Sequence, residues 1–299
     1  MRITMNTIFE QINTDLGRLT EKMAKTNSSI SSGKIYRRPS DEPVALTHAL
    51  GLRGSVADSE QCRRNILYAQ GWVRATETAV TQLEDRLVRA KELAVQGGND
   101  SQTPQSRQAI AAEVKTILEE VVALGNTKLG DRYVFAGTRT RGYGSGEAPF
   151  RLLPDGSVRY SGNTEDLTVD VASGLKQKIN LDGETALVQS GVFEALDLLH
   201  DSLMADSRGG IESAIADLDT AIGYVNHQLA QLGAQANTLD NKDEMAEALI
   251  LNGKERLSDI EETDMIKAIT DLQTLETSYQ ASLASAAKIT GLSLVDYIR

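Results

Sequence analysis

One apolar row constrains this chain more than any other feature in it. Stepping alternately by four and three residues from Ile211, the sequence gives Ile215, Leu218, Ile222, Val225, Leu229, Leu232, Ala236, Leu239, Asp243, Ala246, Ile250, Gly253, Leu257 and Ile260. Only Asp243 and Gly253 interrupt the row, and no proline follows Pro154. A mean spacing of 3.5 residues keeps one face of an α-helix apolar and is the coiled-coil period. At about 1.5 Å per residue, such a helix would be roughly 75 Å long. A helix that long needs other helices lying lengthwise against it.

The rest of the chain supplies candidates. Ile8, Ile12, Leu16, Leu19, Met23 and Ile30 form an amphipathic stripe in residues 3–31. The segment SSGKIYRRPSDEPV then breaks the pattern. Gly33 can end the first helix, Pro39 lies in the turn, Ser40 or Asp41 can accept from free N–H groups of the next helix, and Pro43 fits its first turn. Cys62, Ile66, Ala69, Val73, Thr76, Val80, Leu83, Leu87, Ala90 and Ala94 predict a second long helix ending at Gly97–Asp100. A third helix, striped by Ile110, Val114, Ile117, Val121 and Leu124, is predicted to run to about Leu129. The last helix carries Met265, Ile269, Leu272, Leu275, Tyr279, Leu283 and Ala286, and an apolar tail with Leu292 and Leu294 follows it.

Between the helical halves the texture changes. Residues 130–191 hold ten of the 24 glycines, and period-two runs (RYVFAG, SVRYSG, LTVDVA, QKINLDG) replace helical spacing. Pro154, Asp155 and Gly156 mark a turn between two of the strands. The predicted fold is therefore mainly α: an elongated, antiparallel, coiled-coil-like helical rod built from both chain ends, with a small inserted β domain. The expected division is terminal helices at 1–40 and 262–299, a rod at 41–137 and 193–261, and the β insert at 138–192.

Charge and chemistry narrow the function. A net charge of −11 and a pI near 4.9 argue against a general nucleic-acid binder. Residues 1–40 carry +4 and residues 240–264 carry −6, opposite signs that favour pairing. The acidic cluster from Asp259 to Asp264 reads either as a solvated helix face or as a junction meeting basic residues such as Arg37 and Arg38. Cys62, the lone cysteine, reads as a buried small hydrophobe, and Trp72 as core or interface. His48, His200 and His227 are scattered, so no zinc site is expected. No nucleophile elbow is present, and Gly142, Gly144 and Gly146 read as a linker rather than a phosphate loop. Asp240, Asp243 and Glu244 lack the spacing of a calcium loop. The chain is not expected to be an enzyme or to need a cofactor or metal. No run approaches the roughly 18 apolar residues of a membrane span, and residues 1–16 do not resemble a secretory signal peptide.

Three stretches carry a resemblance. LTEKMAKTNSSISSGKIYRRPSDEPVAL resembles the N-terminal pattern of bacterial flagellins, with Glu42 where that family usually has a second Asp. DLQTLETSYQASLASAAKITGLSLVDYIR is similar to the family's closing helix, and DRYVFAGTRT, APF, VRYSGN and KINLDGE resemble the middle of its hook–filament junction members. The resemblance implies a structural flagellar subunit, exported through the flagellar type III apparatus without a cleaved signal peptide and located outside the cell at the hook–filament junction. It implies as partners other copies in a ring, the other hook–filament junction protein, flagellin, and a flagellar export chaperone that holds the C-terminal region. It also implies that the terminal helices order on assembly, making Ile8, Ile12, Leu16, Leu19, Met23, Met265, Ile269, Leu272, Leu275, Tyr279, Leu283, Leu292 and Leu294 an assembly interface. The alternatives are a filament subunit and, in a different class, an intracellular coiled-coil scaffold.

Overall fold

The structure, a computed structural model, describes residues 5–36, 38, 41–144, 147–154, 156–172 and 174–297. The side chains of residues 5, 6, 8 and 289–297 lie outside that description. Six helices dominate: α1 (Met5–Ser32), α2 (Pro43–Gly97), α3 (Pro104–Gly125), α4 (Val192–Met204), α5 (Arg208–Glu261) and α6 (Met265–Tyr297). Six short strands lie between α3 and α4: β1 (Lys128–Leu129), β2 (Arg132–Tyr133), β3 (Phe150–Leu152), β4 (Val158–Tyr160), β5 (Thr168–Ala172) and β6 (Leu175–Lys178). They pair β1–β2, β3–β4 and β5–β6 as three antiparallel hairpins, the last with an irregularity between Asp170 and Ala172. The fold is mainly α, with long helices contributed by both chain ends. Two compact units emerge, residues 58–248 and residues 1–57 with 249–299.

In the unit of residues 58–248, the α2 stripe from Ile66 to Ala94 is buried at every position named from sequence. Cys62 is the exception and is half-buried, next to Arg63, which pairs with Asp243 and Glu247 on α5. Ion pairs in reverse order along α2 and α5 (Arg63–Asp243, Arg74–Asp240, Lys91–Asp219) mark antiparallel neighbours. Arg86–Glu120 and Arg89–Glu113 do the same for α2 and α3. Each such pair contributes little, but together they record the register. Trp72 is fully buried, tilted against Tyr68 with ring centroids 6.2 Å apart.

The third helix stops at Gly125, short of Leu129, because Asn126 and Thr127 fold back onto Ala123 and Leu124 to open the β1–β2 hairpin. The hairpins share the helices' core: Phe150, Val171 and Ile179 join the same buried cluster as α2–α5. Tyr160 packs on Phe150 at 4.8 Å, donates from its hydroxyl to the Phe135 carbonyl (2.8 Å) and accepts from Gly183 N–H (3.3 Å). Helix α4 has no counterpart in the sequence reading, although Val192, Leu196, Leu199 and Leu203 space it as a helix.

In α5 the Ile211 row is buried or half-buried from Ile211 to Leu239. Its two interruptions have physical causes. Asp243 accepts from Arg63 Nε at 3.0 Å. In the other unit, Gly253 leaves room for Val56, whose Cγ2 would stand 2.5 Å from a Cβ at position 253.

Candidate assembly interface

Helices α1 and α6 pack side by side within the unit of residues 1–57 and 249–299. Ile12, Leu16, Leu19 and Met23 face inward on α1, and Leu272, Leu275 and Tyr279 on α6. All are half-buried, and no side chain described in α1 is fully buried. A seam of this kind is the product of two amphipathic helices with nothing laid across them; isolated helices of such length are marginal in water.

Several of the named residues point away from the seam. Met265, Ile269 and Leu283 are 42%, 45% and 43% exposed. Among the described side chains of α6 the buried one is Ala268, and Ile266 stands 82% exposed. The α6 stripe is thus shared between two faces, one on α1 and one open. The side chains of Ile8, Leu292 and Leu294 lie outside the described residues. Small grooves flank the seam, one lined by Met23, Ala24, Leu272 and Tyr279, the other by Lys22, Thr26, Asp271 and Leu275.

The seam is fastened at one end. Gly33, in a left-handed conformation (φ +69), turns the chain out of α1. Its carbonyl accepts from Thr263 N–H (2.9 Å), while Ile35 N–H donates to the Glu261 carbonyl (2.8 Å), forming a short antiparallel bridge. The Glu261 side chain, only 11% exposed, accepts from Arg53 (2.6 Å) and Lys34 (3.1 Å) through Oε2. Burial pushes its carboxyl up, but these two cations pull harder and hold it below the usual carboxylate range. Oε1 is enclosed without a partner among the described residues. The acidic cluster is therefore a junction, and the cations described on Glu261 are Lys34 and Arg53. The Arg38 backbone N–H donates to Asp41 Oδ2 (3.0 Å), so the Asp41 side chain reaches back into the turn. Pro43 is the first residue of α2; Pro39 and Ser40, like Arg37, lie outside the described residues. Only the Lys34 charge just past Gly33, and Arg53 about three turns into α2, could have signalled these partners.

Among the described residues no group of three or more His, Cys, Asp or Glu side chains is placed to hold a metal ion, and no helix is long and apolar enough to cross a membrane.

Comparison with known proteins adds an independent line. The pattern described as "Bacterial flagellin N-terminal helical region" matches residues 3–140, and "Bacterial flagellin C-terminal helical region" matches residues 215–298. The chain is 24% identical to flagellar hook-associated protein 3 of Escherichia coli, with 98% of each chain covered. It is 26% identical to flagellin of Bacillus subtilis, with 88% of each covered. A flagellar hook-associated protein from Vibrio parahaemolyticus shares the fold at a TM-score of 0.67 and 20% identity, over 74% of this chain and all of that one.

Proposed function

The chain belongs to the bacterial flagellin family, and from that premise we propose that it is the structural subunit that joins the flagellar hook to the filament. The observation that carries this reading is end-to-end likeness to a hook-associated protein, which reaches through the middle of the chain as well as its helical ends. Its role in the flagellum is structural. Export without a cleaved signal peptide, and contacts with its own copies, the other junction protein, flagellin and an export chaperone, belong to the same proposal.

The seam supports a particular mode of action. Ordering a residue costs about 1–2 kcal/mol of backbone entropy, and α1 buries no described side chain fully in return. Neighbouring subunits laid over Met265, Ile266, Ile269 and Leu283 would supply the missing cover. Ordering of the terminal helices is then coupled to assembly, and their stripes serve as the interface.

Deletion of the gene, followed by assay of the culture medium for monomeric flagellin, tests the reading. Intact hooks with flagellin leaking into the medium are expected. Loss of filaments without free flagellin would identify a filament subunit instead, and normally motile cells would refute a flagellar role.

A further inference from the structure

Helix α4 buries Val192, Phe193, Leu196, Leu199 and Leu203 against the core and turns Glu194, Asp197, Leu198, Asp201 and Met204 away from it. Leu198 is 37% and Met204 51% exposed. From Val192 to Ser207 the sequence holds four carboxylates and no Lys or Arg. The last of them, Asp206, pairs with Arg107. Glu194 is in no ion pair among the described residues, and Asp201 meets only the ring of the adjacent His200, at 3.1 Å. Carboxylates three and four residues apart repel one another on a helix, as Glu194, Asp197 and Asp201 do here. Such a row gains from a cationic surface laid against it, and α4 finds none within its own unit.

The opposite chemistry gathers on the β1–β2 hairpin and the segment after it. Residues 128–143 carry Lys128, Arg132, Arg139 and Arg141 against one carboxylate, Asp131. Arg141 takes Asp131 (2.6 Å), while Lys128, Arg132 and Arg139 join no ion pair among the described residues. They lie on aromatic rings instead. Lys128 Nζ stands 4.4 Å from the centre of the Tyr133 ring, Arg139 4.8 Å from that of Tyr143, and Arg132 6.0 Å from that of Tyr68. Tyr133 and Tyr143 meet edge to face at 5.3 Å, so Lys128, the two rings and Arg139 form one basic and aromatic strip. The nearby Glu147 and Glu165 are turned to Gly144 N–H and the Thr138 hydroxyl. A cation resting on a ring keeps its charge.

The two surfaces match in charge and in apolar content. Glu194 and Asp201 stand about 10.5 Å apart along α4, a span of the same order as the strip. They lie at different places on the unit. Arg132 donates to the Tyr68 hydroxyl (3.1 Å), whereas the end of α4 packs on Gly97, where Leu203 Cδ2 would stand 2.5 Å from a Cβ. Tyr68 and Gly97 are about 43 Å apart along α2. A surface and its complement at separate places on one chain make a heterologous contact, which repeats from copy to copy and forms a ring where the rotation closes. Copies that each carry −11 repel one another overall, and opposite charges where they touch offset that repulsion.

We propose that the acidic outward face of α4 docks on the basic and aromatic strip, Lys128 to Arg139, of a second copy of this chain. The proposal rests on the chain being a self-assembling flagellar subunit. Its test places a photo-crosslinking amino acid at Leu198, in the middle of the α4 face, in full-length protein in flagellated cells. An adduct of two copies, joining position 198 to a peptide within 128–143, is expected. It should fall at least tenfold in Lys128→Glu/Arg139→Glu and equally in Glu194→Lys/Asp201→Lys. A chain carrying all four substitutions should recover at least half of it, because the charges match again. All four side chains are exposed, so the purified variants should unfold within a few degrees of wild type. Lys128→Gln/Arg139→Gln, which adds no new charge, should also lower the adduct; no change there would overturn the proposal even if a reversed chain failed to fold. So would no two-copy adduct, an adduct to a different protein only, or a four-residue variant that folds yet crosslinks as poorly as either double one. Immunogold labelling of the same cells separates the two readings: label at the hook–filament junction without the adduct refutes the docking contact alone, and label elsewhere refutes the junction reading.

Discussion

Replacing Glu261 with Gln isolates the charge in the fastening of the terminal helices, since size is kept and one acceptor oxygen remains for Arg53 and Lys34. Two hydrogen bonds to a charged group set an upper bound of about 3–6 kcal/mol. Arg53 and Lys34 are each nearly half exposed, and exposed pairs contribute only about 0.2–1 kcal/mol. Removing the charge also relieves the cost of burying it. A net loss of about 1–2 kcal/mol at neutral pH follows, a five- to thirtyfold shift in the local opening equilibrium. Hydrogen exchange at the Ile35 and Thr263 amides, the two donors of the backbone bridge, reads that opening directly. The pH dependence carries a second signature. Because the folded carboxyl stands below its ordinary value, near 4.3 when unfolded, its contribution is full above that value and is lost as pH falls through the lower, folded one. Wild-type protection should therefore decline toward that of the variant below about pH 4, while the variant lacks this component. Equal exchange in both proteins at pH 7, or slower exchange in the variant, would refute the role assigned to the carboxylate.

Three further outcomes are expected. Gly253→Ala gains about 1 kcal/mol of helix propensity but drives a Cβ against the stiff Val56 side chain, at about 1–3 kcal/mol. Denaturant unfolding should show a net loss that adding Val56→Ala makes smaller than additive, and a stabilised single variant would contradict this. Arg63→Met strands Asp243 on the α5 row and should cost about 1–2 kcal/mol, while Arg63→Met/Asp243→Leu should return to within about 1 kcal/mol of wild type by the same measurement. Leu272→Asp should leave the residue 58–248 unit's thermal transition in place but abolish incorporation into flagella; normal flagella in that strain would sink the interface reading.

The long helices were legible because burial on one side of a helix leaves a periodic trace, and the stripe from Ile66 to Ala94 carries it without a gap. The breaks in the α5 row were legible only as breaks: an ion pair to Arg63 and a close approach by Val56 are tertiary facts. Helix α4 was hidden by the glycine-rich stretch before it, where Gly191 turns the chain in a left-handed conformation. On α6, one stripe seen in sequence serves two faces, since period alone cannot say which neighbour covers Leu272 and which leaves Ile269 bare. The partners of Glu261 were out of reach for a simpler reason. Lys34 and Arg53 are remote from it in sequence, and only the crossing of the chain beside Gly33 brings them there.

That crossing also sets a timetable. Helix α1 leaves the ribosome early, and its partner α6 only after the whole of residues 33–264 has been made. At about 5–20 residues per second, the Leu16–Met23 stripe waits on the order of ten seconds or more for its match. Closing so long a span while it is still unfolded would cost about 5 kcal/mol, so pairing of the ends follows folding of the residues between them. The interval is one-sided: during synthesis α1 is the helix with nothing to lie against, whereas α6 emerges with its counterpart already waiting.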